Sequence, residues 1–207
     1  MTDPDAALLA VLDEARQLGL LGPGPIERQH EHARDLARGI GDFGGSFLDL
    51  GSGGGLPGLV LVSEWGQSSA VFVDAQRRRC DFLVRAVTTL DLSTRASVEC
   101  GRAEVLARQP HLRGRFDLVV ARSFGPPAVT AECAVGFLRA GGELVVTEPP
   151  GDETADRWDA GGLAELGFSS PDSFRTGATS AVRMRLDRPA GDRWPRRDGV
   201  PSKRPLW

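Results

Sequence analysis

The chain lacks any apolar run near the ~20 residues that a membrane span requires. Its opening residues, Met1 to Pro4, lead into an acidic stretch rather than the basic and then apolar stretch of an export signal. These two absences predict a cytoplasmic protein that is neither exported nor membrane-bound. Cysteine is scarce: Cys80, Cys100 and Cys133 stand far apart, odd in number and without a Cys-x-x-Cys pair. That spacing argues against a zinc cage or a disulfide framework and predicts buried free thiols in a reducing compartment. Histidine is equally scarce. Only His30 and His32 are close, and an i, i+2 spacing sends them to different sides of a helix, so no metal site is expected. Internal repeats and low-complexity tracts are missing as well.

What is present is ordinary for a soluble globular protein: 41% hydrophobic and 26% charged residues over 207 positions, a length that suits one domain. The net charge is −3, but it is unevenly placed. From Arg183 to Trp207 eight basic residues face Asp187, Asp192 and Asp198, so this tail is +5 and the rest of the chain −8. A basic end on an acidic body is compatible with a nucleic-acid partner, and by itself a weak indication of one.

Asp3-Pro4 reads as an N-cap followed by proline in the first turn, and Leu8, Val11, Leu12, Ala15 and Leu18 recur at helical spacing. A second helix is expected from Ile26 to about Arg38, stopped by Gly39 and Gly41. These two helices make an N-terminal extension over residues 1–45. A cofactor-binding core follows over 46–188, then the basic tail over 189–207, all within a single domain. In the core, β-like runs (47–50, 70–73, 97–100, 116–120, 143–147 and 182–186) are separated by helical segments at 57–65, 77–90, 103–108 and 127–138. Strand–helix alternation at this spacing predicts an α/β fold with a mostly parallel sheet covered on both faces. The last run alternates Val182, Met184 and Leu186 with Arg183 and Arg185, which suits an antiparallel strand with one wet face.

The most informative stretch is Asp49-Leu-Gly-Ser-Gly-Gly-Gly-Leu-Pro-Gly58. A strand ends in a carboxylate, runs through glycines, and meets proline at a helix start. Such a loop lets a ligand lie against bare main chain at the carboxyl end of a parallel sheet. Two cofactors compete for it. Gly53-x-Gly55-x-x-Gly58 satisfies the dinucleotide fingerprint, with Asp74 at the offset of a ribose-binding acid. S-adenosylmethionine (SAM) would use the same turn, with Gly51, Gly53 and Gly55 against it and Asp74 on its ribose. Asp49 favours SAM, because a carboxylate there meets an ammonium but repels a pyrophosphate. Pro57 also removes an amide donor that a pyrophosphate would use. Asp74 could serve only as a helix cap, but its place after Phe72-Val73 favours the ribose, and five glycines in eight residues argue against a ligand-free turn.

Asp49–Gly58, Asp74–Leu83, Arg102-Ala-Glu104, Phe116–Phe124, His32-x-x-Asp35 and the ending Trp194–Leu206 together resemble the RsmG (GidB) family, the bacterial 16S rRNA guanine-N7 methyltransferases. The resemblance runs in order through nearly the whole chain. It implies a class I SAM-dependent methyltransferase (Rossmann-like) fold, with SAM as cofactor and 16S rRNA or an assembling small subunit as partner. A monomer is expected, and the histidine and cysteine spacing already argues against a metal. Gly51 and Leu56 match the family's cofactor-loop contacts, Ala103 and Glu104 its adenine-side pair, and Arg122 its arginine after the fourth strand. The family's Asn-Leu-Thr element is absent, Ser123 stands where alanine is usual, and Leu36 follows Asp35 in place of serine.

In the basic tail, Arg196, Arg197 and Lys203 are candidate RNA contacts, flanked by Trp194 and Trp207, although the same residues serve equally well to finish the fold. Phe124 either stacks on a target base or fills the core. N7 of guanine has a lone pair and no proton, so no catalytic acid or base is named. The Asn/Asp-Pro-Pro-aromatic loop of exocyclic-amine methylation is missing after the fourth strand, where the chain reads Ala121-Arg-Ser-Phe124, and Glu148-Pro149-Pro150 follows the fifth instead. The rival readings are a methyltransferase of a small metabolite, a non-catalytic RNA-binding or assembly protein that keeps the fold, and, more distantly, a nicotinamide dehydrogenase.

Overall fold

A computed structural model describes residues 4–149 and 157–207; Asp3 and Pro150 lie outside the described residues. Helices α1 (Pro4–Gln17) and α2 (Ile26–Ile40) precede β1 (Ser46–Leu50), α3 (Gly58–Glu64), β2 (Ser69–Asp74), α4 (Arg77–Thr89), β3 (Ala96–Cys100) and α5 (Ala103–Leu106). Then come β4 (Phe116–Ala121), α6 (Pro127–Val135), β5 (Leu138–Glu148), α7 (Ala160–Leu166), β6 (Asp172–Thr176), β7 (Thr179–Arg185) and α8 (Val200–Lys203). The sheet has the order β3-β2-β1-β4-β5-β7-β6. Strands β1 to β5 are parallel, and the β6–β7 hairpin adds two antiparallel strands at the β5 edge.

The period of two along β1 distributes the core. Phe47 enters one hydrophobic layer beneath α1 to α4, while Leu48 and Leu50 enter the other beneath α6 and α7. Asp49 points to the same side as Phe47, and α3 starts there. The chain winds outward from β1 through β2 to β3, then returns to β4 on the other side. This reversal opens a crevice above the carboxyl ends of β1 and β4, the place where open α/β sheets bind ligands.

The expected strands and core helices are all present. Strand β6 and helices α7 and α8 were not anticipated. The hairpin is fastened to α2 by three polar contacts. Asp35 accepts from Ala178 N–H at 2.9 Å, Thr179 Oγ1 donates to His32 O at 3.0 Å, and Arg183 donates to Gly39 O at 3.0 Å. Asp35 is buried, which opposes its ionisation, but Arg38 and the Ala178 amide outweigh that and hold its carboxyl below the usual range. The His-x-x-Asp element is therefore a clasp that sets α2 against the sheet and fixes His32 over its edge.

The expectation of three free thiols is corrected. Cys80 and Cys100 form a disulfide with a Cα–Cα separation of 5.8 Å. Twenty residues part them in sequence, but β2 and β3 place Asp74 opposite Cys100, and α4 carries Cys80 back over that pair. Sequence spacing is blind to this. Cys133 alone is free, and it is buried. Among the described residues no cluster suited to a metal ion occurs, and no helix is long and apolar enough to cross a membrane.

Candidate active site

Beyond β1 the chain turns at Gly51 (φ 74°), whose N–H and that of Ser52 both donate to Val73 O, at 2.8 and 3.0 Å. These bonds lash the glycine loop to β2. Asp74, at the end of β2, completes the attachment: one oxygen accepts from Gly53 N–H at 3.0 Å, the other from Gln76 N–H at 2.8 Å. The capping reading of Asp74 is thus realised in part, since Gln76 heads α4. The same carboxylate also lines the cavity described below.

The glycines differ in purpose. Gly51 lies under the ring of Phe124, which a Cβ would meet at 2.6 Å. Gly55, expected against a ligand, turns its open side to Leu59 and Leu83 in the core, where a Cβ would sit 2.3 Å from Leu59. Its lack of side chain serves packing. A Cβ on Gly53 would meet nothing nearer than Leu20 O at 3.6 Å, but the residue holds φ 56°. Leu56 is buried in the layer beneath α3. Gly58 is pressed on Asp49 and Phe72, and its N–H donates to Asp49 Oδ2 at 3.0 Å.

Asp49 is the electrostatic centre of the crevice. It is fully buried, and Oδ1 has no hydrogen-bond partner. Burial pushes its carboxyl up to about 7, against the Gly58 bond that favours the charged form. Arg122, after β4, is the balancing cation. Burial pulls its pKa down and the charge of Asp49 pulls it up, and its one side-chain hydrogen bond is a long one to Gln29 of α2, at 3.5 Å. A buried carboxylate with one unpartnered oxygen and a guanidinium without a carboxylate bonded to it thus stand at the ends of adjacent strands β1 and β4. An α-amino acid group carries the two complementary charges, so SAM fits the donor set.

Two cavities lie at this end of the sheet, and Arg122 lines one of them. One, of about 330 Å³, is lined by Gly51, Asp74, Ala103, Glu104 and Cys133, and is closed at its far side by Ser202 of α8. Glu104 is buried and accepts there from Arg102 at 2.9 Å and from Gly199 N–H at 3.2 Å. Arg102 also pairs with Asp198 at 3.0 Å. The tail is therefore a wall of this cavity. The other cavity, of about 290 Å³, lies under α2 and takes in His32, Arg122, Glu148, Trp158 and Thr179. Both include Ser123, Phe124 and Gly125. Ser123 holds φ 54°, a left-handed conformation costing a non-glycine residue about 1–2 kcal/mol, and the strain falls where the two cavities meet.

Of the sequence-derived candidates, Gly51, Asp74, Ala103 and Glu104 converge on the first cavity, and Arg122 stands at the mouth of the second. Phe124 partitions the two and is half-buried rather than a core aromatic. Arg196, expected on RNA, is instead committed to Glu132, which it grips with Nε at 2.8 Å and Nη2 at 2.6 Å. Glu132 is fully buried and needs that cation. Arg197 and Lys203 are exposed. Sequence reasoning did not place Glu148, Trp158 and Thr179 in a site; they meet in the second cavity. The position of Glu148 at the carboxyl end of an interior parallel strand was the available signal.

The Asp49 carboxyl gives the cradle a pH signature. Only its charged form holds an ammonium, and below about pH 7 the free protein carries the proton that binding must expel. SAM affinity is expected to rise about tenfold per pH unit between roughly 5 and 7 and to level off above. Calorimetry across that range, with proton release read from buffers of different ionisation enthalpy, checks this.

The family profile of rRNA small subunit methyltransferase G (GidB) matches residues 33–158. The ribosomal RNA small subunit methyltransferase G of Deinococcus deserti is 33% identical over 99% of this chain and 88% of its own. That of Moorella thermoacetica is 33% identical over 77% and 68%. Among solved structures, the O-methyltransferase from Bacillus cereus in complex with SAH superposes with a TM-score of 0.61 at 15% identity, covering 89% of this chain and 92% of that one. Cofactor-bound Rv0187 from MTB gives 0.58 at 18% identity, over 91% of both chains. These likenesses establish the class I methyltransferase fold. With the family pattern spanning α2 through β5 and relatives aligned along almost the full length, the chain belongs to the rRNA small subunit methyltransferase G (GidB) family.

Proposed function

We propose that this protein transfers a methyl group from SAM to N7 of a guanine in 16S rRNA. The observation that supports this best is the pair of cavities meeting at Ser123–Gly125, beyond the carboxyl ends of β1 and β4. One suits the nucleoside part of SAM; the other has Arg122 in its wall and room for a base. Gly51, Asp74, Ala103 and Glu104 would hold the nucleoside part of SAM. When bound, SAM supplies an electrophilic methyl on a sulfonium.

The protein's own work is positioning. N7 brings its lone pair without a proton, so alignment is the main demand, and alignment contributes ~7–11 kcal/mol in well-oriented reactions. Phe124 offers a ring face at the partition. Cys133 lines the cofactor cavity, but burial raises its thiol far above the ordinary value, which argues against a nucleophilic cysteine of the kind pyrimidine-C5 methylation needs. Exposed Arg197 and Lys203 would meet RNA phosphates, a contact that weakens with salt. The protein acts as a monomer in the cytoplasm and forms a single domain.

Mapping of 7-methylguanine in small-subunit rRNA tests the reading. Cells lacking the protein are expected to lose the mark at one guanine, and purified protein with SAM to restore it on their particles. Methyl incorporation into a small metabolite alone would sink the rRNA reading.

A further inference from the structure

We propose that the cavity under α2 is a guanine-reading subsite, in which Glu148 takes the N1–H and exocyclic N2–H donors of the base and His32 donates to O6. The inference rests on the guanine-N7 reading above and names the residues that choose the base.

Glu148 is the last residue of β5, and its side chain is 2% exposed while lining the cavity. One oxygen accepts from Trp158 Nε1 at 2.8 Å, and Arg157 bonds the other. A buried carboxylate fixed in this way is oriented by two protein donors, and each oxygen keeps a lone pair. Two parallel acceptors match two adjacent donors. Among the RNA bases only guanine presents such a pair, N1–H beside N2–H, on its pairing edge. Adenine puts an acceptor at N1, and uracil flanks its single donor with carbonyls. Reading an extruded base by that edge is the general solution for enzymes that work on one nucleotide.

His32 supplies the next contact along. It belongs to the clasp that joins α2 to the hairpin, so its backbone is held by Thr179. Its Nε2 is buried without a partner, and the residue lines the same cavity. Guanine O6 lies between N1 and N7, so a donor there leaves N7 open toward the partition at Phe124. The N-terminal helices thereby have a task in recognition, although they stand apart from the cofactor cavity.

The test uses small-subunit particles from cells lacking the protein, labelled SAM, and guanosine or inosine 5′-monophosphate as competitor. Inosine lacks only the N2 amine. Guanosine monophosphate is expected to inhibit at a concentration at least tenfold lower than inosine monophosphate. Glu148→Gln, which keeps an acceptor for Trp158, is expected to abolish that preference while SAM affinity stays within threefold. His32→Leu is expected to raise KM for particles tenfold or more at unchanged SAM affinity. Guanosine monophosphate competing no better than inosine monophosphate, or a preference that survives Glu148→Gln, overturns the proposal. Methyl found at another atom, or no transfer to particles, defeats the guanine-N7 reading itself. Calorimetric binding of the two nucleotides to the protein saturated with S-adenosylhomocysteine then still reports on the subsite.

Discussion

Replacing Arg196 with alanine is expected to lower the unfolding free energy by about 3–5 kcal/mol, because it strands the Glu132 carboxylate inside the protein. The guanidinium is the partner of both oxygens, and the backbone N–H of Arg196 adds a third bond at 2.8 Å. Arg196→Lys keeps the charge but loses the two-pronged grip, so its loss is expected to fall between wild type and alanine. Urea unfolding followed by circular dichroism reads the midpoint. A loss below about 1 kcal/mol would mean that the pair contributes no more than a surface ion pair. SAM affinity is expected to fall as well, since Gly199 and Ser202 follow in the same segment and wall the cofactor cavity.

The second large effect concerns Asp49. Truncating one member of a buried, hydrogen-bonded charge contact costs about 2–5 kcal/mol, so Asp49→Ala is expected to weaken SAM binding on the order of 100-fold. Asp49→Asn keeps an acceptor for Gly58 N–H and removes only the charge, and a comparable loss is expected from it. The stability of the free protein is expected to move the opposite way. A carboxyl raised to about 7 in the fold ionises against its surroundings as pH climbs from 4 through 7, so its ionisation subtracts from stability over that range. At pH 8 the asparagine variant is expected to unfold at a higher urea concentration than wild type. Variants that bind SAM normally would remove Asp49 from the cradle.

Much of this architecture was legible in the residues. Strand β1 announces itself by Phe47-Leu48 and by the glycines behind it, and the parallel core follows from apolar runs such as Leu118–Val120 and Leu144–Val146. The loop glycines pointed to the cofactor crevice, yet their division of labour was hidden. Gly55 serves Leu59 and only Gly51 lies in the cavity wall, a distinction made by packing rather than by pattern. Strand β6 escaped notice because Asp172-Ser-Phe-Arg-Thr176 buries little and is held by its neighbour β7. The Cys80–Cys100 pairing, the Arg196–Glu132 pairing and the meeting of His32 with Glu148 all join distant segments. No local periodicity carries such information.

The wall formed by Asp198, Gly199 and Ser202 has a bearing on how the molecule matures. During synthesis every strand emerges before these residues do, so the sheet is able to assemble while the chain is still being made. A chain folded only through β7 would have the whole sheet and yet lack one wall of that cavity.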